Sequence, residues 1–220
     1  PEAKAGEEER LDLSRLWTLF RHPIVCTYGL GIFLYVGAEV GVSSYIITFM
    51  NEVHHLDNAQ SFWGEASFLY RIFPSKTALI VALFWLLQAV GRMVASFLMR
   101  FVSERRIFIF HSACTVIALL CAIAGNETVS LVAFALTGYF TCVSFTSVFS
   151  AVINSFDRDH GMISGLLGTA IVGGALVGWL VGSVGNRWGM VAGMAVNVPA
   201  FLYVFALSVW GKGRLDVNDN

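Results

Sequence analysis

Six separate stretches of this chain are each long and apolar enough to cross a lipid bilayer: 24–50, 77–99, 107–125, 129–153, 162–184 and 190–210. About 20 mainly apolar residues, rising ~1.5 Å each, cross the hydrocarbon core as an α-helix. Lipid offers the backbone no hydrogen-bond partners, so each stretch must close its own ladder as a helix. The sequence therefore predicts an all-α integral membrane protein, a bundle of six transmembrane helices. Residues 1–23 read as a cytoplasmic linker and 211–220 as a cytoplasmic tail. Only 13% of the residues are charged, 56% are hydrophobic and the mean hydropathy is +0.69, which excludes an ordinary soluble domain. The net charge of −1 comes with no basic field, so nucleic acid is not an expected partner.

Lysine and arginine are retained on the cytoplasmic side of membrane helices. With both termini inside, Lys4, Arg10, Arg15, Arg21, Arg100, Arg105, Arg106, Arg158, Lys212 and Arg214 are cytoplasmic. Arg71, Lys76 and Arg187 are then outside, and Arg92 lies within the second helix. That balance sets the expected orientation, in a plasma or inner membrane. The acidic opening PEAKAGEEER lacks initiator methionine and basic leader, which suggests the C-terminal piece of a longer chain; a trimmed complete protein is the alternative.

Most connections are short. The outer segment 51–76 is longer and carries Phe62, Trp63, Phe68, Tyr70 and Phe73 among polar residues, as an interfacial helix over an outer mouth or a plain loop would. His54 and His55 are a weak metal signal without further ligands. Asn126-Glu127-Thr128 matches a glycosylation sequon in a loop too short to be a good acceptor. Cys26, Cys114, Cys121 and Cys142 fall in apolar runs without CxxC spacing and read as packing residues.

Within FLYVGAEVGVSSY, residues 33–45, a carboxylate stands near mid-bilayer depth. An ionisable group there is costly by a contested ~2.5 kcal/mol or more and usually faces a polar cavity. Glu39 is therefore either a binding or coupling group or a protonated acid bridging two helices. Tyr35, Glu39 and Ser43 share one side of the first helix at i, i+4 and i+8. The fourth helix offers a second polar side, with Thr137, Thr141 and Ser144 on one line and Ser147, Ser150 and Asn154 on a neighbouring one. Each hydroxyl can equally bond back to its own backbone. Gln88 in the second helix and Asn197 in the sixth can hydrogen-bond a neutral polyol, and Asn197 can instead satisfy backbone freed by Pro199. The candidate substrate-binding residues are thus Glu39, Tyr35, Gln88, Thr141 and Asn197. Arg92 reads as an inner-gate anchor that snorkels or pairs with an inner carboxylate such as Glu104.

The fifth helix carries Gly174, Gly178 and Gly182 at fourth-residue spacing, a doubled GxxxG that predicts close approach of a neighbouring helix. Gly173 and Gly174 together offer a point where this helix can bend during gating. No HExxH, GxSxG or phosphate-cradling motif occurs, no metal site is indicated, and enzyme chemistry is not expected. A bundle with a polar mid-depth interior is the profile of a carrier or channel.

The stretches FLYVGAEVGVSSYI, GRMVASFLMRFVSERR, SVFSAVIN and AIVGGA resemble the C-terminal six-helix half of a major facilitator superfamily carrier, and more closely the fucose:proton symporter family, which includes the glucose/galactose transporters. The chain departs from that pattern at Thr146 and near Val177, where members carry proline, and at Phe145, where some carry tyrosine. The resemblance implies half of a twelve-helix fold, a central sugar site between two halves, and alternating access. It implies that the proton-carrying acids lie in the N-terminal half, which leaves Glu39 to bind sugar hydroxyls or a coupling cation, H⁺ or Na⁺, with no other cofactor. The expected partners are a sugar, the lipid bilayer and the N-terminal six-helix half. A facilitator carrying a different small or amphipathic substrate, or a non-transporting scaffold or sensor, are the rival readings.

Overall fold

A computed structural model of the chain describes residues 13–56 and 75–211. A short helix, α1 (Leu13–Phe20), precedes α2 (Pro23–His54). After them come α3 (Lys76–Leu98), α4 (Glu104–Ala124), α5 (Glu127–Thr141) and α6 (Ser144–Ile153). The chain ends with α7 (His160–Thr169), a 3₁₀ turn (Ala170–Val172), α8 (Gly173–Trp188), α9 (Met190–Ala195) and α10 (Asn197–Trp210). The expectations for the linker before Leu13, for the aromatic residues of the outer segment and Arg71, and for Lys212 and Arg214 lie outside the described residues.

Among the described residues, six spans are long and apolar enough to cross a membrane: α2, α3, α4, the pair α5–α6, the run α7–α8 and the pair α9–α10. Several run past the apolar stretches that announce them. The first continues through Asn51, Glu52 and His54, because a helix ladder closes as well in the headgroup layer as in hydrocarbon and does not stop where hydropathy does. Pro23 starts this span, where its missing N–H leaves no bond unmade, and His55 ends it in the left-handed region (φ 55°). Ser75 caps α3 by accepting from the Ala78 amide at 3.1 Å. Asn126 caps α5 by accepting from the Val129 amide at 3.0 Å, which commits the side-chain amide of the sequon to the helix.

α2 is the central helix. It packs against α8, α10 and α6, and α3 touches it further along; α5 lies between α3 and α4, and α10 closes the group by packing on α2 and α4. The apolar interior runs through Ile32, Ile46, Phe49, Phe84, Phe108, Phe134 and Phe201, all buried. The two most exposed spans are α3 and α7–α8, whose outer faces present Trp85, Leu86 and Met93 on one and Leu176 and Trp179 on the other.

The fourth, fifth and sixth spans are not continuous α-helices. The fourth loses its ladder at Cys142 and Val143, the fifth tightens through the 3₁₀ turn, and the sixth is interrupted at Val196. The first two breaks occur with Thr146 and Val177, and no proline, following them. The hydroxyl of Thr146 donates to the Val143 carbonyl at 2.9 Å, beside the Ser147 amide that the same carbonyl accepts at 2.9 Å.

Candidate functional site

Glu39 is buried at the middle of α2, and its carboxylate is the centre of a polar cluster drawn from three spans. The Tyr35 hydroxyl, one turn earlier, lies 2.8 Å from Oε1 of Glu39. Nε2 of Gln88, from α3, donates to the same oxygen. The Tyr35 hydroxyl also lies 3.1 Å from the Thr141 carbonyl at the end of α5. All four residues are buried. Arg92 is exposed on α3 one turn beyond Gln88. Phe145 sets its ring beside Tyr35, centroids 6.5 Å apart, and stacks on Phe149 at 5.9 Å.

Two backbone features bring these side chains together. In an unbroken helix the Thr141 carbonyl would accept the amide of Phe145; the break after Thr141 turns it to the tyrosine. Gln88 reaches Glu39 because α3 and α5 approach closely at two glycines. A Cβ on Gly138 would run into the Phe84 backbone, and one on Gly91 would come within 2.8 Å of the Tyr139 carbonyl and 2.9 Å of the Cys142 sulfur. Neither glycine has a periodic partner in sequence to announce it.

The donor count of the cluster is informative. Tyr35 has one hydroxyl hydrogen and two acceptors in range, Glu39 and the Thr141 carbonyl. Both bonds to Glu39 fall on Oε1, so Oε2 has no partner among the described residues. A carboxylate held by one oxygen with the other free suits recognition of a hydroxyl or a cation.

The remaining candidates lie elsewhere. The hydroxyl of Thr141 donates to Gly138 in its own helix at 2.9 Å, so only its carbonyl joins the cluster. Thr137 bonds back to Ala133 at 2.8 Å and Ser43 to Val40 at 3.3 Å. Asn197 does not reach the cluster. Its Nδ2 donates to the Met194 carbonyl at 3.2 Å, whereas the carbonyl that Pro199 leaves free is that of Ala195, four residues before it. Its buried Oδ1 faces Gly41, about 200° around α2 from Glu39.

The glycines of the fifth span differ from one another. A Cβ on Gly173 would strike the Phe33 backbone, and one on Gly182 the Tyr45 hydroxyl. Gly174 faces Val40 at 3.3 Å, but Gly178 would meet nothing nearer than 4.0 Å. The α2–α8 contact therefore rests on Gly173 and Gly182 at its ends. His54, considered for metal, has its Nε2 2.9 Å from the Ser130 hydroxyl, which itself lies 2.7 Å from the Ala122 carbonyl.

With this geometry established, comparison with solved structures is decisive for the fold. The chain superposes on the Escherichia coli fucose:proton symporter, FucP, with a TM-score of 0.76 at 20% identity, covering 92% of this chain and 46% of that one. A second FucP structure, a major facilitator superfamily transporter in the outward conformation, gives a TM-score of 0.76 at 18% identity over 97% of this chain and 48% of the other. The chain has the fold of one half of these two transporter structures. Among curated proteins, the glucose/galactose transporter of Brucella abortus is 26% identical over 185 residues, 84% of this chain and 41% of the relative. A putative glucose/galactose transporter of Helicobacter pylori is 28% identical over 199 residues, 89% of this chain and 45% of the relative. The chain thus spans a little under half the length of the curated relatives it matches. No protein-family model matches it.

Proposed function

We propose that this chain is the C-terminal half of a secondary active transporter that moves a hexose or deoxyhexose together with a cation, H⁺ or Na⁺, by alternating access. The observation that carries the reading is the Glu39 carboxylate, held by Tyr35 and Gln88 on one oxygen and free on the other, at the midplane of a facilitator half-bundle. A neutral polyol needs directional hydrogen bonds and an aromatic wall, and this cluster supplies both, with Phe145 and Phe149 as the wall. In this reading an N-terminal six-helix half covers the exposed faces of α3 and α7–α8, and the sugar binds between the halves. The termini lie in the cytoplasm and the membrane is the plasma or inner membrane, as the distribution of lysine and arginine suggests. The names of the relatives support sugar as the substrate, and none of the motifs of membrane enzymes is needed.

The test is uptake of radiolabelled glucose, galactose and fucose into proteoliposomes containing the full-length protein, under an imposed proton or sodium gradient. Gradient-driven accumulation of at least one sugar is the expected result. Folded protein that accumulates none of them under either gradient removes the sugar reading.

A further inference from the structure

The described residues before the first span form α1, which the transport cycle proposed above does not use. α1 ends at Phe20 and the first span begins at Pro23, so α1 is tethered at the membrane boundary. Its inner side is fixed to the bundle. Leu19 is buried, Leu16 packs on the core, and Arg15 places both Nε and Nη2 on one carboxylate oxygen of Asp159 at 2.9 and 2.7 Å. Its outer side carries Trp17 and Phe20, 53% and 52% exposed and stacked with centroids 5.8 Å apart. The Arg21 guanidinium sits 4.8 Å from the Trp17 ring centroid and pairs with no carboxylate among the described residues.

We propose that this outer side of α1 is a lipid-binding surface, seated in the headgroup layer of the adjoining leaflet, with Arg21 holding the phosphate of an anionic phospholipid. Three arguments favour lipid. A helix two residues from a spanning segment has one side against the bundle and the other at headgroup depth, where tryptophan and phenylalanine are stabilised. A guanidinium over an indole keeps its charge and its donors, and its planar fork suits a phosphate. The same chemistry recurs at this end of the bundle, where Arg100 lies 5.9 Å from the ring centroid of the exposed Phe97. Through Arg15 the seat is joined to Asp159, the residue that leads into α7.

Spin labels at Phe20→Cys and, separately, at Trp17→Cys in a cysteine-free full-length protein, reconstituted in phosphatidylcholine vesicles with and without phosphatidylglycerol, test this. The expected result is frequent collision with oxygen, infrequent collision with a polar nickel complex, and a depth just below the phosphates, at the acyl boundary. Frequent nickel collisions mean the surface faces water and overturn the proposal. Infrequent collisions with both mean it is covered by protein, and overturn it too. For the headgroup, phosphatidylglycerol is expected to raise the midpoint of thermal unfolding, and Arg21→Gln to remove about half of that rise or more. A rise equally large in Arg21→Gln contradicts the assignment of Arg21 to the phosphate.

Discussion

Tyr35 and Glu39, one helical turn apart on α2, are joined at 2.8 Å by a hydroxyl whose oxygen also lies 3.1 Å from the Thr141 carbonyl. The first span is thereby tied to the break in the fourth, and the tie passes through the group that the proposed sugar or cation meets. In the proposed transport cycle, a ligand that takes a hydrogen bond at Glu39 would bear on the α5–α6 joint through this one hydroxyl.

Tyr35→Phe removes that link while keeping the ring against Phe145. Its expected effect is a loss of about 1 kcal/mol in stability, the usual net worth of one buried hydrogen bond, with a loss of gradient-driven uptake far beyond what that destabilisation explains. Thermal unfolding and uptake measured on the same preparation separate the two.

Thr141→Val tests the division of labour within one residue. Its hydroxyl bonds back to Gly138 and its carbonyl serves Tyr35, so the variant is expected to retain uptake within about two-fold. A larger loss, with the protein folded, means that the hydroxyl itself contacts the substrate.

The glycines of the fifth span give opposite expectations for the same change. Gly173→Ala drives a methyl into the Phe33 backbone and is expected to destabilise by about 1–3 kcal/mol or prevent folding. Gly178→Ala meets only ordinary contact with Val40 and is expected to be neutral or to stabilise by up to ~1 kcal/mol through helix propensity. Unfolding midpoints of the two variants in one detergent provide the comparison.

Gly41 and Asn197 are expected to be coupled. A Cβ on Gly41 would lie 2.6 Å from Oδ1 of Asn197, so Gly41→Ala alone is destabilising. With Asn197→Ala beside it the nearest clash is gone and only the Val181 methyl at 3.2 Å remains, so the double variant is expected to be less destabilised than the sum of the singles, by about 0.5–3 kcal/mol. Strict additivity shows that the two residues do not oppose each other in this way.

The spans were legible in the sequence because lipid forces every apolar stretch to close as a helix, and the pairing of Tyr35 with Glu39 because i and i+4 meet on a helix face. Gln88 could be singled out by depth alone. What brings it to Glu39 could not, since Gly91 and Gly138 are single glycines whose role exists only where two helices cross. Thr141 was found by its hydroxyl, yet it contributes its carbonyl, because a helix break leaves no mark in side-chain pattern. Asn197 was misplaced for a related reason. Depth gives the level of a residue in the bundle but not the side of the neighbouring helix that it meets, and Asn197 meets the far side of α2. The doubled GxxxG ranked Gly178 with Gly182, whose surroundings differ.

The most direct measurement is equilibrium binding of radiolabelled galactose, glucose and fucose to the purified full-length protein and to its Glu39→Ala variant, with the thermal unfolding of both recorded alongside. The account predicts affinity weakened about 10- to 100-fold in the variant, the equivalent of one hydrogen bond to a charged group, with the protein still folded. Unchanged affinity together with a lowered unfolding midpoint would contradict it, and would make Glu39 a brace between helices and not part of a binding site.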